Sequence, residues 1–234
     1  MANPGASPKN ILITTFPKSG SRNVGDGLIT ESAIQLVRHR LPNYAPEIIF
    51  RMDSLDDYSA EEVASILAPG FSVNEGTYPL LYALYSDVSR LKGFFPVGCS
   101  FQHPEASPAI YDNFTYSEAT LAFLRRVEEN TGPIPCRDTG IVNILQRHGI
   151  RSCYMGDLAL YDRAYLFKTF VAPRCIDSVA FTVQHNAKYK RQSFLVLNAI
   201  RRTFPKATLY VVHQSKVSCF SQKNSGICSG AGVC

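Results

Sequence analysis

Two stretches of the chain put charge and glycine where chemistry on an anion needs them. Pro135-Cys136-Arg137-Asp138 closes a short β-rich run and opens a helical one through Gly149. A guanidinium keeps its charge at all accessible pH and can grip a phosphate or carboxylate through two parallel hydrogen bonds. With Asp138 as helix N-cap, Arg137 also sits beside the positive end of the helix dipole. The plainer alternative is a structural ion pair from Arg137 to Asp138 or to Asp157. Asp157 lies in Gly156-Asp157-Leu158-Ala159-Leu160, after the next strand and near the same edge. There it either shapes a turn or accepts a hydrogen bond from a hydroxyl of a ligand. The other stretch is Ser21-Arg22-Asn23-Val24-Gly25-Asp26-Gly27, between the first strand and the first helix. Ligands of open parallel α/β sheets bind at such a place. Glycine permits close backbone approach, and a helix start presents unpaired N–H groups. Asp26 serves equally well as a ligand residue or as the N-cap of that helix.

The elements that must position these residues follow from periodicity. Asn10–Phe16, Glu47–Met52, Phe95–Cys99, Ile134–Cys136 and Ser152–Met155 read as strands. Helices are expected from near Gly27 to Pro42, over Leu80–Leu91, Ser117–Glu129 and Thr139–His148, and Glu61–Leu67 reads as a short helix or a helix–strand junction. Strands alternating with helices predict an α/β fold, a parallel sheet with helices on both faces. Residues 1–162 form this first domain, and 163–177 connect it to a partial second one over 178–217. There Ser178–Val183, Arg191–Thr203 and Thr208–His213 make one β-α-β unit. Residues 218–234 are small and polar and are expected to be a poorly ordered tail.

Composition narrows the classes. The chain has 234 residues, 45% of them hydrophobic and 18% charged, too apolar for a disordered protein. No apolar run is long enough to span a bilayer, and residues 1–10 lack the pattern of a signal peptide. A net charge of +5 makes no case for nucleic acid. From Ser178 to Cys234 there are eight Lys and Arg and no Asp or Glu, which reads as a solvated basic surface or as a face toward an anionic ligand. The seven cysteines have no CxxC pair, so a zinc ribbon or disulfide scaffold is not expected, and buried free thiols in a reducing cytoplasm are. No metal site and no cofactor are expected.

Two family resemblances compete for the first loop. Pro17-Lys18-Ser19-Gly20-Ser21 resembles the sulfate-donor loop of PAPS-dependent sulfotransferases. Asn23-Val24-Gly25-Asp26, followed by Leu28-Ile29, resembles the N-x-G-D motif of the polysaccharide pyruvyl transferase family. The later elements favour the second: Arg137-Asp138 with its helix, then Gly156-Asp157-Leu158-Ala159-Leu160, resemble that family's signature. Ala68-Pro69-Gly70-Phe71-Ser72 resembles its glycine loop, and Phe95-Pro96-Val97-Gly98-Cys99-Ser100 its next glycine-bearing strand. These stand in family order across residues 10–160. The resemblance implies two Rossmann-like domains facing a cleft, as in GT-B glycosyltransferases. It also implies transfer of the pyruvyl group of phosphoenolpyruvate to a hydroxyl of a sugar-linked acceptor, in surface polysaccharide biosynthesis. A lipid-linked acceptor would bring the protein to the membrane periphery. Asn23, Gly25, Asp26, Gly70, Arg137, Asp138 and Asp157 become the substrate-binding candidates, with Arg137 on phosphoenolpyruvate. The family's general acid is a histidine in an R-x-H element late in its second domain. None of the five histidines here lies in one. His185 and His213, each after a strand of the second unit, are the catalytic candidates. The second unit is short of a full domain, as in a fragment, a frameshifted product or a shortened homologue. Little or no turnover is therefore expected, and a non-catalytic anion-binding relative is the third reading.

Overall fold

β1 (Lys9–Thr14) is an apolar run whose Ile11, Leu12 and Ile13 are all buried. A strand buried on both sides needs cover on both faces of its sheet. The computed structural model describes residues 8–16, 24–59, 61–103, 108–162, 166–183, 189–213 and 216–220. In it β1 is the inner strand of a parallel sheet ordered β2-β1-β3-β4, with β2 at Glu47–Phe50, β3 at Val63–Pro69 and β4 at Phe94–Val97. β5 (Ile134–Cys136) and β6 (Ser152–Tyr154) pair in parallel. They lie beside the chain just past β4, where Cys99 N–H donates to Pro135 O at 2.8 Å and Arg137 N–H to Cys99 O at 3.0 Å. The fold is thus α/β, Rossmann-like, a four-strand parallel sheet of order 2-1-3-4 with the β5-β6 pair bridged to the chain just past β4.

The helices divide between the two faces. Ile11, Ile13, Ile66, Ala68 and Phe94 form one core with Leu121 and Leu124 of α3 (Glu118–Thr131) and Ile141, Ile144 and Leu145 of α4 (Thr139–Arg147). Each fully buried aliphatic side chain in it is worth roughly 1.5–3 kcal/mol over its exposed state. On the opposite face, α1 (Val24–Arg40) buries Ala33 and Ile34, and Thr30 Oγ1 lies 2.9 Å from Thr14 Oγ1. The chain passes from β1 to β2 by α1, and in the other direction from β4 to β5 by α3 and from β5 to β6 by α4. Right-handed crossovers in opposite directions place helices on opposite faces. α1 leaves its face bare over β4, where Phe95 is 45% exposed.

Three expectations about elements change. Residues 63–69 are strand, not helix: β3 lies between β1 and β4, and its short apolar run has no period that separates a buried strand from a buried helix. Residues 80–91 are not a helix. A kinked turn (Thr77–Leu81) with Tyr78 extended, and a 3-10 turn (Val88–Arg90), flank an extended stretch there. That stretch satisfies its backbone across space, with Ala83 N–H on Arg51 O at 2.9 Å and Leu84 O accepting from Leu55 N–H at 2.8 Å. Of its buried residues Tyr82, Leu84 and Tyr85, Leu84 would fall off the helical face that the other two share. A short helix, α2 (Pro108–Asn113), precedes α3.

Among the described residues the chain parts at Leu166 and Phe167 into two compact units. The second holds β7 (Ser178–Thr182), α5 (Lys190–Thr203) and β8 (Thr208–His213), a parallel strand–helix–strand unit. β9 (Lys216–Phe220) adds an antiparallel strand to β8, so ordered sheet runs three residues past the expected boundary at 217. A hairpin partner needs only a short β-prone run beside an open edge, and Val217 and Phe220 supply one. Residues 221–234 lie outside the described residues.

Candidate functional site

The C-terminal edge of the first sheet gathers the chemistry. β3 and β4 end in register at Pro69 and Val97, and the next residue of each is a glycine with positive φ, Gly70 at 66° and Gly98 at 61°. Both strands therefore turn together in a conformation that disfavours a side chain. Three residues on, Ser72 and Ser100 are in register again, with Ser100 N–H on Phe71 O at 2.7 Å and Val73 N–H on Ser100 O at 2.8 Å. Next to them Cys99 pairs with Cys136, which puts Arg137 at the level of Ser100.

Alternation decides where these side chains point. Phe71, Val73, Cys99, Phe101 and Cys136 all belong to the α3–α4 core. Ser72, Ser100 and Arg137 are their strand neighbours and face the other side, the side of α1. Three adjacent strands thus carry hydroxyl, hydroxyl and guanidinium in a row, in steps of about 4.8 Å, the strand spacing. Ser72 is 7% exposed, and its Oγ has no hydrogen-bond partner among the described residues. Ser100 Oγ donates to Gly70 O at a long 3.4 Å.

Arg137 is one-third exposed and its Nη1 lies 3.9 Å from Asp157 Oδ2. That is an ion pair at the loose limit, and it leaves the guanidinium's donors short of a close acceptor there. The other Asp157 oxygen, Oδ1, accepts from Ala159 N–H at 2.9 Å and caps the 3-10 turn Leu158–Leu160. Asp138 is the N-cap of α4, its Oδ1 accepting from Ile141 N–H at 3.0 Å. The α4 terminus adds about 0.3–1 kcal/mol of favourable potential for a nearby anion. Asp26 is in the first turn of α1, not at its cap, because the helix begins at Val24, earlier than Gly27. Its carbonyl accepts from Thr30 Oγ1 at 2.8 Å. Gly25 lies in that same turn. Gly70 approaches α1 at Ile29, 3.5 Å from where a Cβ would stand.

Asn23, His185 and residues 17–21 of the sulfate-donor-like loop lie outside the described residues, and His213 is described only as the last residue of β8. His148 is held structurally: its Nδ1 lies 2.8 Å from Ile144 O and its ring packs edge-on against Tyr116. Cys99 and Cys136 are buried, whereas Cys153 and Cys175 are exposed, so the expectation of buried thiols fits only part of the set. Burial, then the neighbouring thiols, raises Cys99 well above the ordinary range and pushes Cys136 up to about 12. Neither is a thiolate nucleophile at neutral pH. Among the described residues no group of three His, Cys, Asp or Glu could hold a metal ion, and no helix is long and apolar enough to cross a membrane.

Ser72 and Ser100 are the residues that motif reading passed over, although both close glycine-bearing segments it singled out. Their signal was parity: each is a small polar residue between two apolar ones just past a turn glycine. Comparison of the chain with family models, curated protein sequences and solved structures finds no match.

Proposed function

We propose that the first unit is a polysaccharide pyruvyl transferase-like domain that binds phosphoenolpyruvate at the C-terminal edge of its sheet. The observation that carries this reading is the position of Arg137. It leaves β5 beside the Asp138-capped start of α4, with its guanidinium only loosely engaged by Asp157. Ligands of open parallel sheets bind outside the carboxyl ends of the strands, where the strand order reverses. Here that reversal falls between β1 and β3, one strand from the Ser72–Ser100 pair.

The reaction bonds the central carbon of the donor to two hydroxyls of one sugar as a ketal, their protons passing to a base, while the methylene carbon is protonated and the bond to phosphate breaks. It needs cations on the departing phosphate and an acid to protonate the methylene carbon. Arg137 meets the first need. For the second, none of the five histidines stands in an R-x-H element, so the proposal is confined to donor binding. Arg137→Lys keeps the charge and loses the fork. It is expected to weaken phosphoenolpyruvate binding by about 1.5–3 kcal/mol, the worth of a charged hydrogen bond, with little change in stability. Calorimetry and thermal melts together test this. Binding of PAPS in place of phosphoenolpyruvate would transfer the reading to the sulfotransferases. A fall in melting temperature with binding intact would make Arg137 a structural ion-pair residue.

A further inference from the structure

We infer that Ser72 and Ser100 are binding residues that extend the Arg137 site into a row for a ligand with two acidic groups, of the phospho-carboxylate class. The inference rests on the reading of Arg137 as the donor-anion residue and adds to it a second subsite. The first observation is register: Ser72 pairs with Ser100, and Arg137 stands on the next strand at the level of Ser100. The second is the Ser72 hydroxyl, more than nine-tenths buried and without a hydrogen-bond partner among the described residues. A buried hydroxyl is ordinarily paired, so an orphan one just past a strand end points to a group that completes it.

The geometry separates two kinds of donor. Arg137 offers a permanent charge on a long side chain at one end of the row, suited to a phosphate dianion. The serines offer short neutral donors two and one strand spacings away, about 10 and 5 Å along the sheet. The guanidinium rests toward Asp157, held only at 3.9 Å, so a swing of this long side chain toward Ser100 is what lets one small ligand span both. Its phosphate meets the guanidinium, and its carboxylate meets Ser100 and Ser72. Asp157 at the far side of Arg137 keeps a second anion from settling beyond it. Arg51, whose Nε is also unpartnered, belongs to the opposite face, where its guanidinium lies 5.8 Å from the Tyr82 ring, and it takes no part in this row.

The test is calorimetry on the full chain with two probes, phosphoenolpyruvate and inorganic phosphate. It uses the wild type, Ser72→Ala, the double variant Ser72→Ala/Ser100→Ala, and Arg137→Lys. Ser72→Ala is expected to weaken phosphoenolpyruvate binding about fivefold and the double variant more than tenfold, the scale of one to two neutral hydrogen bonds. Phosphate affinity should be unchanged in both and reduced in Arg137→Lys. The melting temperature of ligand-free Ser72→Ala should stay level or rise, since an unsatisfied buried hydroxyl is removed. If phosphoenolpyruvate binds, needs Arg137 and ignores both serines, the row is overturned while the donor reading stands. If the serine variants instead lose melting temperature and weaken both probes equally, the serines are structural and the row is again overturned. If phosphoenolpyruvate does not bind the wild type, the donor reading fails and the second subsite falls with it.

Discussion

The strand–helix–strand unit β5-α4-β6 and its counterpart β7-α5-β8 have the same parallel pairing, yet their helices are in opposite physical situations. α4 is capped by the Asp138 side chain, ends on the basic Arg147 and buries Ile141, Ile144 and Leu145. α5 has no side-chain cap at Tyr189, opens on Lys190 and Arg191, and buries none of its residues fully. Cations in a first turn oppose the helix dipole, as they suit a last turn. Leu197 and Ile200 of α5 touch the small core of Val183, Leu209 and Val211, while Phe194 and Leu195 are 63% and 59% exposed. An amphipathic stripe thus specifies a helix in both places. What differs is the supply of neighbours: α4 has α2, β5, β6 and the large core of the first unit to pack on, and α5 has three strands. Arg137, the end of the proposed row, stands on the well-packed β5-α4-β6 unit, as a preorganised site requires.

The comparison breaks most readily at matched leucines. Leu145→Ala, at a fully buried α4 position, is expected to cost 2–5 kcal/mol, whereas Leu195→Ala should stay within about 0.5 kcal/mol. Urea unfolding of both variants checks this, and equal losses would mean that α5 is covered by something beyond its own three strands. Next come the helix starts. Removing the cap with Asp138→Ala should cost about 1 kcal/mol, and Lys190→Glu should stabilise α5 by about 0.3–1 kcal/mol. Hydrogen exchange resolved to each helix would register opposite changes in protection.

The smallest effect is a pH dependence confined to the first unit. Burial raises the Glu75 carboxyl, but hydrogen bonds from Ser117 N–H at 2.9 Å, Ser117 Oγ at 2.5 Å and Thr120 Oγ1 at 2.8 Å outweigh it and hold Glu75 below its ordinary value. A carboxyl depressed in the folded state contributes stability above its unfolded value of about 4.3, and that contribution is lost as pH falls through the folded value. The melting temperature should therefore decline on acidification, and Glu75→Gln should flatten part of that decline without altering phosphoenolpyruvate binding at neutral pH. An unchanged acid limb would remove Glu75 from the forces that hold α3.

Much of this was legible in local sequence because its causes are local. The apolar run of β1, the Asp138 cap with the three- and four-residue spacing of Ile141, Ile144 and Leu145, and Ser117 before α3 each announce an element from within a few residues. Parallel order followed from the alternation of strands and helices. Arg137 and Asp157 were recognisable as strand-end residues for the same reason. Tertiary structure alone decided the rest. Residues 63–69 became strand because β1 and β4 stand on either side, and 80–91 became extended because residues 51–55 take up their backbone groups. Glu75 completes the α3 cap from 42 residues away, a partnership with no local trace. Ser72, Ser100 and Arg137 become neighbours only through register, since a strand's pairing partners are set by the whole sheet while its own residues set only which way each side chain faces.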